Sequence, residues 1–241
     1  AGVATVAWLV VPGLRKSGMN PLTMVMFAVM AAAMVLSVVE ENRVARVVEA
    51  QVLSVEECGE FIAVAEKHAA EHGWASKRHK NYPTQDVSLE HPDFAGVMAV
   101  LEKKLFPVME ELAGPGAAIE PLDPFIIRYS AEGQAGLESH MDTGHVTANV
   151  LLSDPDVDFE GGGTFYELAQ ETYRVRKGAA LVSPANLWHE GRNTSKGVRY
   201  ILVVFSRMRA REGFWGDPAA WLRLRVVNVW GILAKEMRME R

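Results

Sequence analysis

Glu138-Ser139-His140-Met141-Asp142 sets an imidazole and a carboxylate two residues apart. On an extended segment side chains at i and i+2 share one face, so His140 and Asp142 can reach a single metal ion. His189 follows in a later β-rich region, and Arg199 comes ten positions after it. Two imidazoles and one carboxylate form the facial ligand set of a mononuclear non-haem Fe(II) site, which leaves three coordination positions for a bidentate keto acid and dioxygen. Arg199 heads the run Arg199-Tyr200-Ile201-Leu202-Val203-Val204-Phe205. In such a strand alternate residues point inward, and a guanidinium there can take a carboxylate through a bidentate fork. A lone His-x-Asp carries little weight; the ordered set constrains far more.

Around these residues the chain has the texture of short β runs. They cover 124–129, 146–152, 163–166, 172–175, 179–183 and 199–205, parted by Gly, Pro and Asp. Strands at that density predict a sandwich or open barrel. Two helical patterns precede them. Ser54-Val55-Glu56-Glu57 reads as a capping box, and Phe61, Ile62, Ala65 and Ala69 recur at helical spacing, so a helix is predicted over 55–72 with Gly73 ending it. A second helix is predicted over 93–112, its broad apolar face running from Phe94 to Leu112 and its end marked by Gly114-Pro115-Gly116.

With these residues in place, the chain resembles the 2-oxoglutarate- and Fe(II)-dependent dioxygenases of the prolyl 4-hydroxylase and procollagen-lysine hydroxylase group. The matching stretches are Tyr82-Pro83-Thr84-Gln85-Asp86-Val87, Ile127-Arg128-Tyr129, Thr147-Ala148-Asn149-Val150, Phe159-Glu160-Gly161-Gly162-Gly163-Thr164-Phe165, and His189-Glu190-Gly191 through Gly197-Val198-Arg199-Tyr200. The resemblance covers about 55–206. It implies a mainly β fold with flanking helices, a double-stranded β-helix or jelly roll. It makes His140, Asp142 and His189 the iron ligands and Arg199 the anchor of the distal carboxylate of 2-oxoglutarate. Tyr129 matches a residue that helps bind the cosubstrate, and Thr147 and Asn149 are expected to line the same pocket. Ascorbate is the expected reductant.

Other polar residues take plainer readings. Gly161-Gly162-Gly163 lacks the Lys-Ser or Lys-Thr of a phosphate loop and is read as a tight approach to the next strand. His145 is read as an exposed strand-edge residue, with an extra metal ligand or pocket residue as the alternative. His79 and His91 are read as surface residues, and Trp188 as core filler facing away from the metal. Asp86 either shapes the entrance or caps a turn. Cys58, the single cysteine, excludes an intrachain disulfide and is read as an apolar helical position.

The 241 residues, 49% of them hydrophobic, suit one catalytic domain with additions. The expected division is an N-terminal segment over 1–50, a dioxygenase domain over 51–210 and a C-terminal amphipathic helix over 211–241. A net charge of −5 without a long basic run gives no electrostatic footprint for nucleic acid. Residues 22–39 form an 18-residue stretch without a charge, after Arg15 and Lys16 and before Glu40 and Glu41. That N-terminal hydrophobic helix is expected to act as a membrane anchor, leaving the catalytic domain lumenal in the secretory pathway, in the endoplasmic reticulum or Golgi. A cleaved or targeting segment and a core helix remain open. The tail starts on Asp217-Pro218 and mixes Trp221, Leu224, Trp230 and Leu233 with Arg223, Arg225 and Lys235. It reads as a helix packed on the domain, or as one touching a membrane surface or partner.

The expected function is hydroxylation of a C–H bond on a prolyl or lysyl residue of a protein or peptide, with prolyl narrowly ahead. Dioxygen and 2-oxoglutarate are the cosubstrates. An oxygenase acting on a free amino acid or other small molecule, and a catalytically silent jelly-roll binding module, are the alternatives.

Overall fold

Alternation along the central strands sorts the side chains of the sheet onto two buried faces. In the computed structural model, residues 47–74, 84–114 and 117–210 are described. The chain divides into two units, Ala1–Val44 and Ala45–Arg241, and every described residue belongs to the second. The predicted helices over 22–39 and in the tail, and His79, Tyr82 and Pro83 with them, lie outside the described residues. No helix among the described residues is long and apolar enough to cross a membrane.

Among the described residues, eleven strands form two antiparallel sheets. The major sheet runs β1 (Val48–Gln51), β9 (Ala179–Pro184), β5 (Val146–Leu151), β11 (Thr194–Ala210), β3 (Ala117–Ser130) and β2 (Asp86–Ser88), with β6 (Phe159–Gly161) paired to β11. The minor sheet runs β4 (Leu137–His140), β10 (His189–Gly191), β7 (Thr164–Tyr166) and β8 (Glu171–Tyr173). Phe125, Ile127, Leu151, Leu181, Ile201 and Val203 of the major sheet cluster with Tyr166 of the minor sheet, so the two sheets enclose a common interior. This is the expected mainly β, jelly-roll architecture. The six predicted runs each fall on a strand, and β1, β2, β4, β6 and β10 are additional.

The opposite face of the major sheet carries Ala148, Val150, Ala180, Val182, Leu202 and Val204, all buried in one cluster with the helices. Helix α1 (Val55–His72) starts at the predicted capping box: Ser54 Oγ accepts from Glu57 N at 3.2 Å and Glu57 Oε2 accepts from Ser54 N at 2.8 Å. It buries Cys58, Phe61, Ala65 and Ala69 and stops at Gly73, whose φ of 81° suits glycine. The predicted continuous helix over 93–112 is corrected to a 3₁₀ turn (Pro92–Phe94), α2 (Ala95–Lys104) and α3 (Phe106–Ala113). Pro107 has no N–H to continue the ladder, and Val108 N turns to Leu105 O at 3.0 Å in a tighter bond. The apolar face nevertheless runs on, with Phe94, Leu101, Leu105 and Met109 wholly buried.

Candidate metal and cosubstrate site

His140 ends β4, His189 begins β10, and the two stand directly opposite each other in the antiparallel register. Pairing at that point brings the rings to 4.4 Å between centroids. The residues between His140 and β5 then turn back, fixed by Asp142 N donating to Ala185 O at 2.9 Å. The Asp142 carboxylate thereby faces both rings: Oδ1 lies 3.4 Å from His140 Nε2, and Oδ2 lies 3.4 Å from His189 Nε2. One ligand atom from each of the three residues lies within 4.8 Å of the others.

The rings are held from behind. His140 Nδ1 lies 2.7 Å from Glu138 O, and His189 Nδ1 lies 2.9 Å from Leu187 O. A carbonyl there demands a proton on Nδ1, so each ring turns the lone pair of Nε2 toward Asp142. Burial pulls the Asp142 carboxyl upward, and His189 and His140 more than offset it, leaving it below its ordinary value. Thr147 adds to that lowering, although its hydroxyl forms no hydrogen bond of normal geometry. For His140, burial lowers the pKa, but in the protonated ring Nε2–H would bond the Asp142 carboxylate, and that bond and the charge outweigh burial for a net rise.

Asp142 Oδ2 is fully buried without a hydrogen-bond partner. An ionised oxygen in that state is costly unless a cation meets it. Two imidazole nitrogens and a buried carboxylate fit a divalent transition metal, and the three-residue facial set fits Fe(II) in particular.

Arg199 lies in the same cavity, on the inward face of β11. It is 3% exposed, which matters because no acidic side chain bonds it among the described residues. Nη1 donates to Arg192 O and Nη2 to Gly163 O, both at 3.2 Å, and the guanidinium stands 5.4 Å from the Tyr129 ring centroid. Burial pulls its pKa down to about 10, still charged at neutral pH. Carbonyls and an aromatic ring leave a full positive charge to be met by an incoming anion. Gly162 permits this arrangement: at φ 65° a Cβ there would lie 3.0 Å from both Cδ and Nη1 of Arg199. The three glycines thus serve close approach, as read from the sequence.

Tyr129 and Asn149 line the cavity together with Thr164, Thr84 and Leu137. Thr147 is buried beside Asp142 rather than on the cavity wall. Burial raises the Tyr129 hydroxyl well above its ordinary range. His145 is no part of the cavity: its Nδ1 accepts from Met208 N at 3.0 Å and its backbone bonds Ser206 and Ala185, clasping two strands and a turn. Asp86 is buried on β2 and accepts from Thr84 Oγ1 at 2.5 Å. The sequence does not single out Tyr166, whose ring lies 5.5 Å from that of His189 while its hydroxyl bonds Ser183 Oγ at 3.2 Å. Its place opposite His189 is a matter of strand register, which no local signal announces.

A scan against protein-family models finds no match. Among curated proteins, human multifunctional procollagen lysine hydroxylase and glycosyltransferase LH3 is 31% identical over 167 residues, 64% of this chain and 22% of that protein. Bovine procollagen-lysine,2-oxoglutarate 5-dioxygenase 1 is 33% identical over 138 residues, 53% of this chain and 18% of that protein. The chain therefore spans less than a quarter of the length of these relatives. Among solved structures, the viral collagen prolyl hydroxylase of Paramecium Bursaria Chlorella virus-1, as its 2OG complex, matches with a TM-score of 0.53 at 17% identity, over 66% of this chain and 94% of that one. Sequence and fold point the same way: the described domain is similar in sequence to procollagen-lysine,2-oxoglutarate 5-dioxygenases and in fold to a 2-oxoglutarate-binding prolyl hydroxylase. Its sequence relatives are procollagen-lysine hydroxylases.

Proposed function

We propose that residues 51–210 form the catalytic domain of an Fe(II)- and 2-oxoglutarate-dependent hydroxylase acting on a lysyl or prolyl residue of a protein or peptide. The observation that carries this is one cavity holding both the His140–Asp142–His189 cluster and the buried Arg199. In this reading His140 Nε2, His189 Nε2 and the Asp142 carboxylate hold the metal. Arg199 binds the distal carboxylate of 2-oxoglutarate, with Tyr129 and Asn149 shaping the seat. When bound, Fe(II), 2-oxoglutarate and dioxygen supply the conversion of a C–H bond to C–OH, with the keto acid leaving as succinate and carbon dioxide.

The chain's own groups orient and insulate that chemistry. The Glu138 and Leu187 carbonyls fix the ring nitrogens, and Phe125, Ile127, Ile201 and Val203 give the cavity a dry wall. A dry wall strengthens the charge pairing between Arg199 and a carboxylate. The procollagen-lysine relatives tilt the substrate from prolyl toward lysyl, the reverse of the narrow preference drawn from the sequence. The relatives' names support a procollagen-like lysyl substrate, and ascorbate, implied by the resemblance alone, is proposed as the reductant that sustains turnover.

The test is succinate formation from 2-oxoglutarate with Fe(II), ascorbate and, in parallel, a lysine-containing peptide, a proline-rich peptide and free lysine. Lysine-peptide stimulation with a 16 Da gain on lysine is the expected result. Stimulation by the free amino acid alone would replace the peptidyl reading with a small-molecule one. Absence of iron binding would leave a silent binding module.

A further inference from the structure

Three histidines and an aspartate converge on the outside of the helical layer, away from the interior cavity. His68 and His72 stand four residues apart on α1, on one face of the helix. His91 caps the 3₁₀ turn, with its Nδ1 lying 3.4 Å from Asp93 N, and Asp93 is the second residue of that turn. Asp93 Oδ2 lies 2.9 Å from His68 Nδ1 and 3.2 Å from His91 Nδ1. The ring centroids of His68, His72 and His91 are 4.4, 4.7 and 5.5 Å apart. One ligand atom from each of the four residues lies within 4.8 Å of every other.

We propose that His68, His72, His91 and Asp93 form a second metal site, for Zn²⁺ or a similar divalent transition ion. Three imidazole nitrogens and one carboxylate oxygen complete a tetrahedral zinc set, in which bonds of about 2.0–2.1 Å place ligand atoms roughly 3.3 Å apart. The distances around Asp93 are already of that order. The donor set argues against Ca²⁺ and Mg²⁺, which ask for oxygen. His68 is mostly buried and edges onto the fully buried Phe94 at 5.1 Å, whereas His72, His91 and Asp93 are exposed. The site thus has a fixed floor and an open mouth through which an ion can arrive. Bound metal ties α1 to the turn that begins α2, and so stiffens the layer that backs the major sheet.

The experiment uses the full chain, stripped by a chelator and dialysed against Zn²⁺, with metal content measured by mass spectrometry and Co²⁺ visible absorption as a second readout. Wild type is expected to hold two equivalents. His140→Ala/Asp142→Ala removes one of them. His72→Ala/His91→Ala removes the other, together with the intense tetrahedral Co²⁺ bands, and Asp93→Asn weakens that site if the double variant folds poorly. Succinate formation is unchanged in the surface variants. Wild-type zinc content and an unaltered Co²⁺ spectrum in the surface variants would overturn the proposal. The two pairs of substitutions report separately, so loss of the interior equivalent bears only on the iron reading.

Discussion

On β11, Leu202 and Val204 point toward the helices while Arg199, Ile201 and Val203 point into the interior between the sheets. The same contrast repeats on β5, where Val146, Ala148 and Val150 face the helices and Thr147, Asn149 and Leu151 face inward. The helix-side face is aliphatic at its centre, with Tyr200 and Arg128 meeting Glu66 of α1 at its margin, and it holds the domain together. The inward face is apolar along part of its length, then meets Asp142, His140 and His189 and the charge of Arg199. Stability and chemistry are therefore carried by alternate residues of one strand, and a one-residue slip would exchange them. Polar groups can be buried inside because the opposite face supplies enough apolar burial to offset their cost.

The strongest way to break this comparison is on the inward face. Asp142→Ala should reduce peptide-stimulated succinate formation to background, while the metal-free variant stays folded. The carboxylate it removes is buried, and its Oδ2 has no hydrogen-bond partner of its own. A variant that keeps wild-type turnover would remove the metal assignment. The converse substitution lies three strand positions from Arg199 on the other face. Leu202 is wholly buried, so Leu202→Ala should cost about 2–5 kcal/mol in denaturant unfolding. Its folded fraction should keep its requirement for 2-oxoglutarate. If Leu202→Ala changed that requirement at fixed folded fraction, the two faces would not be separable.

How much of this was legible depends on how locally each feature is encoded. The capping box at Ser54 and Glu57 and the stop at Gly73 are local, and α1 follows the reading to the residue. The strand runs rich in Val, Ile and Leu are legible for the same reason. The break at Leu105 was masked because the apolar spacing continues across Pro107, and periodicity outvoted the missing N–H. Strands β4 and β10 read Leu-Glu-Ser-His and His-Glu-Gly, with no β-branched residue, and exist because His140 and His189 pair across them. The motif named both histidines as partners, but only the register explains why they meet. In the second cluster, His68 and His72 stand one turn apart within the predicted helix, a pair that the sequence reading does not single out. His91 and Asp93 join it only through the packing of the 3₁₀ turn against α1.

A smaller effect sharpens the comparison within the inward face itself. Arg199→Ala should raise the concentration of 2-oxoglutarate needed for half-maximal succinate formation by roughly 10- to 150-fold, the equivalent of about 1.5–3 kcal/mol for a charge-assisted contact. Metal content should stay at the wild-type level, because none of the three ligand residues depends on the guanidinium. An unchanged 2-oxoglutarate requirement would move the anchor to another cation.

The smallest expected effect belongs to the helix-side face, at Cys58. It is wholly buried in α1, and burial pushes its thiol from an ordinary 9.0 up to about 11. A raised pKa means that the folded chain holds the proton more tightly than the unfolded one. The neutral thiol's share of stability is therefore complete below about pH 9 and declines as the pH climbs through about 11. Compared with Cys58→Ala across that window, the wild type should lose unfolding free energy more steeply, while below pH 8 the difference between the two stays constant. Thiol reagents at pH 8 should accordingly modify the native chain only as fast as it unfolds. Rapid modification of the native protein would mean that the helix-side face opens to solvent without global unfolding, and the division of labour between the two faces would have to be redrawn around α1.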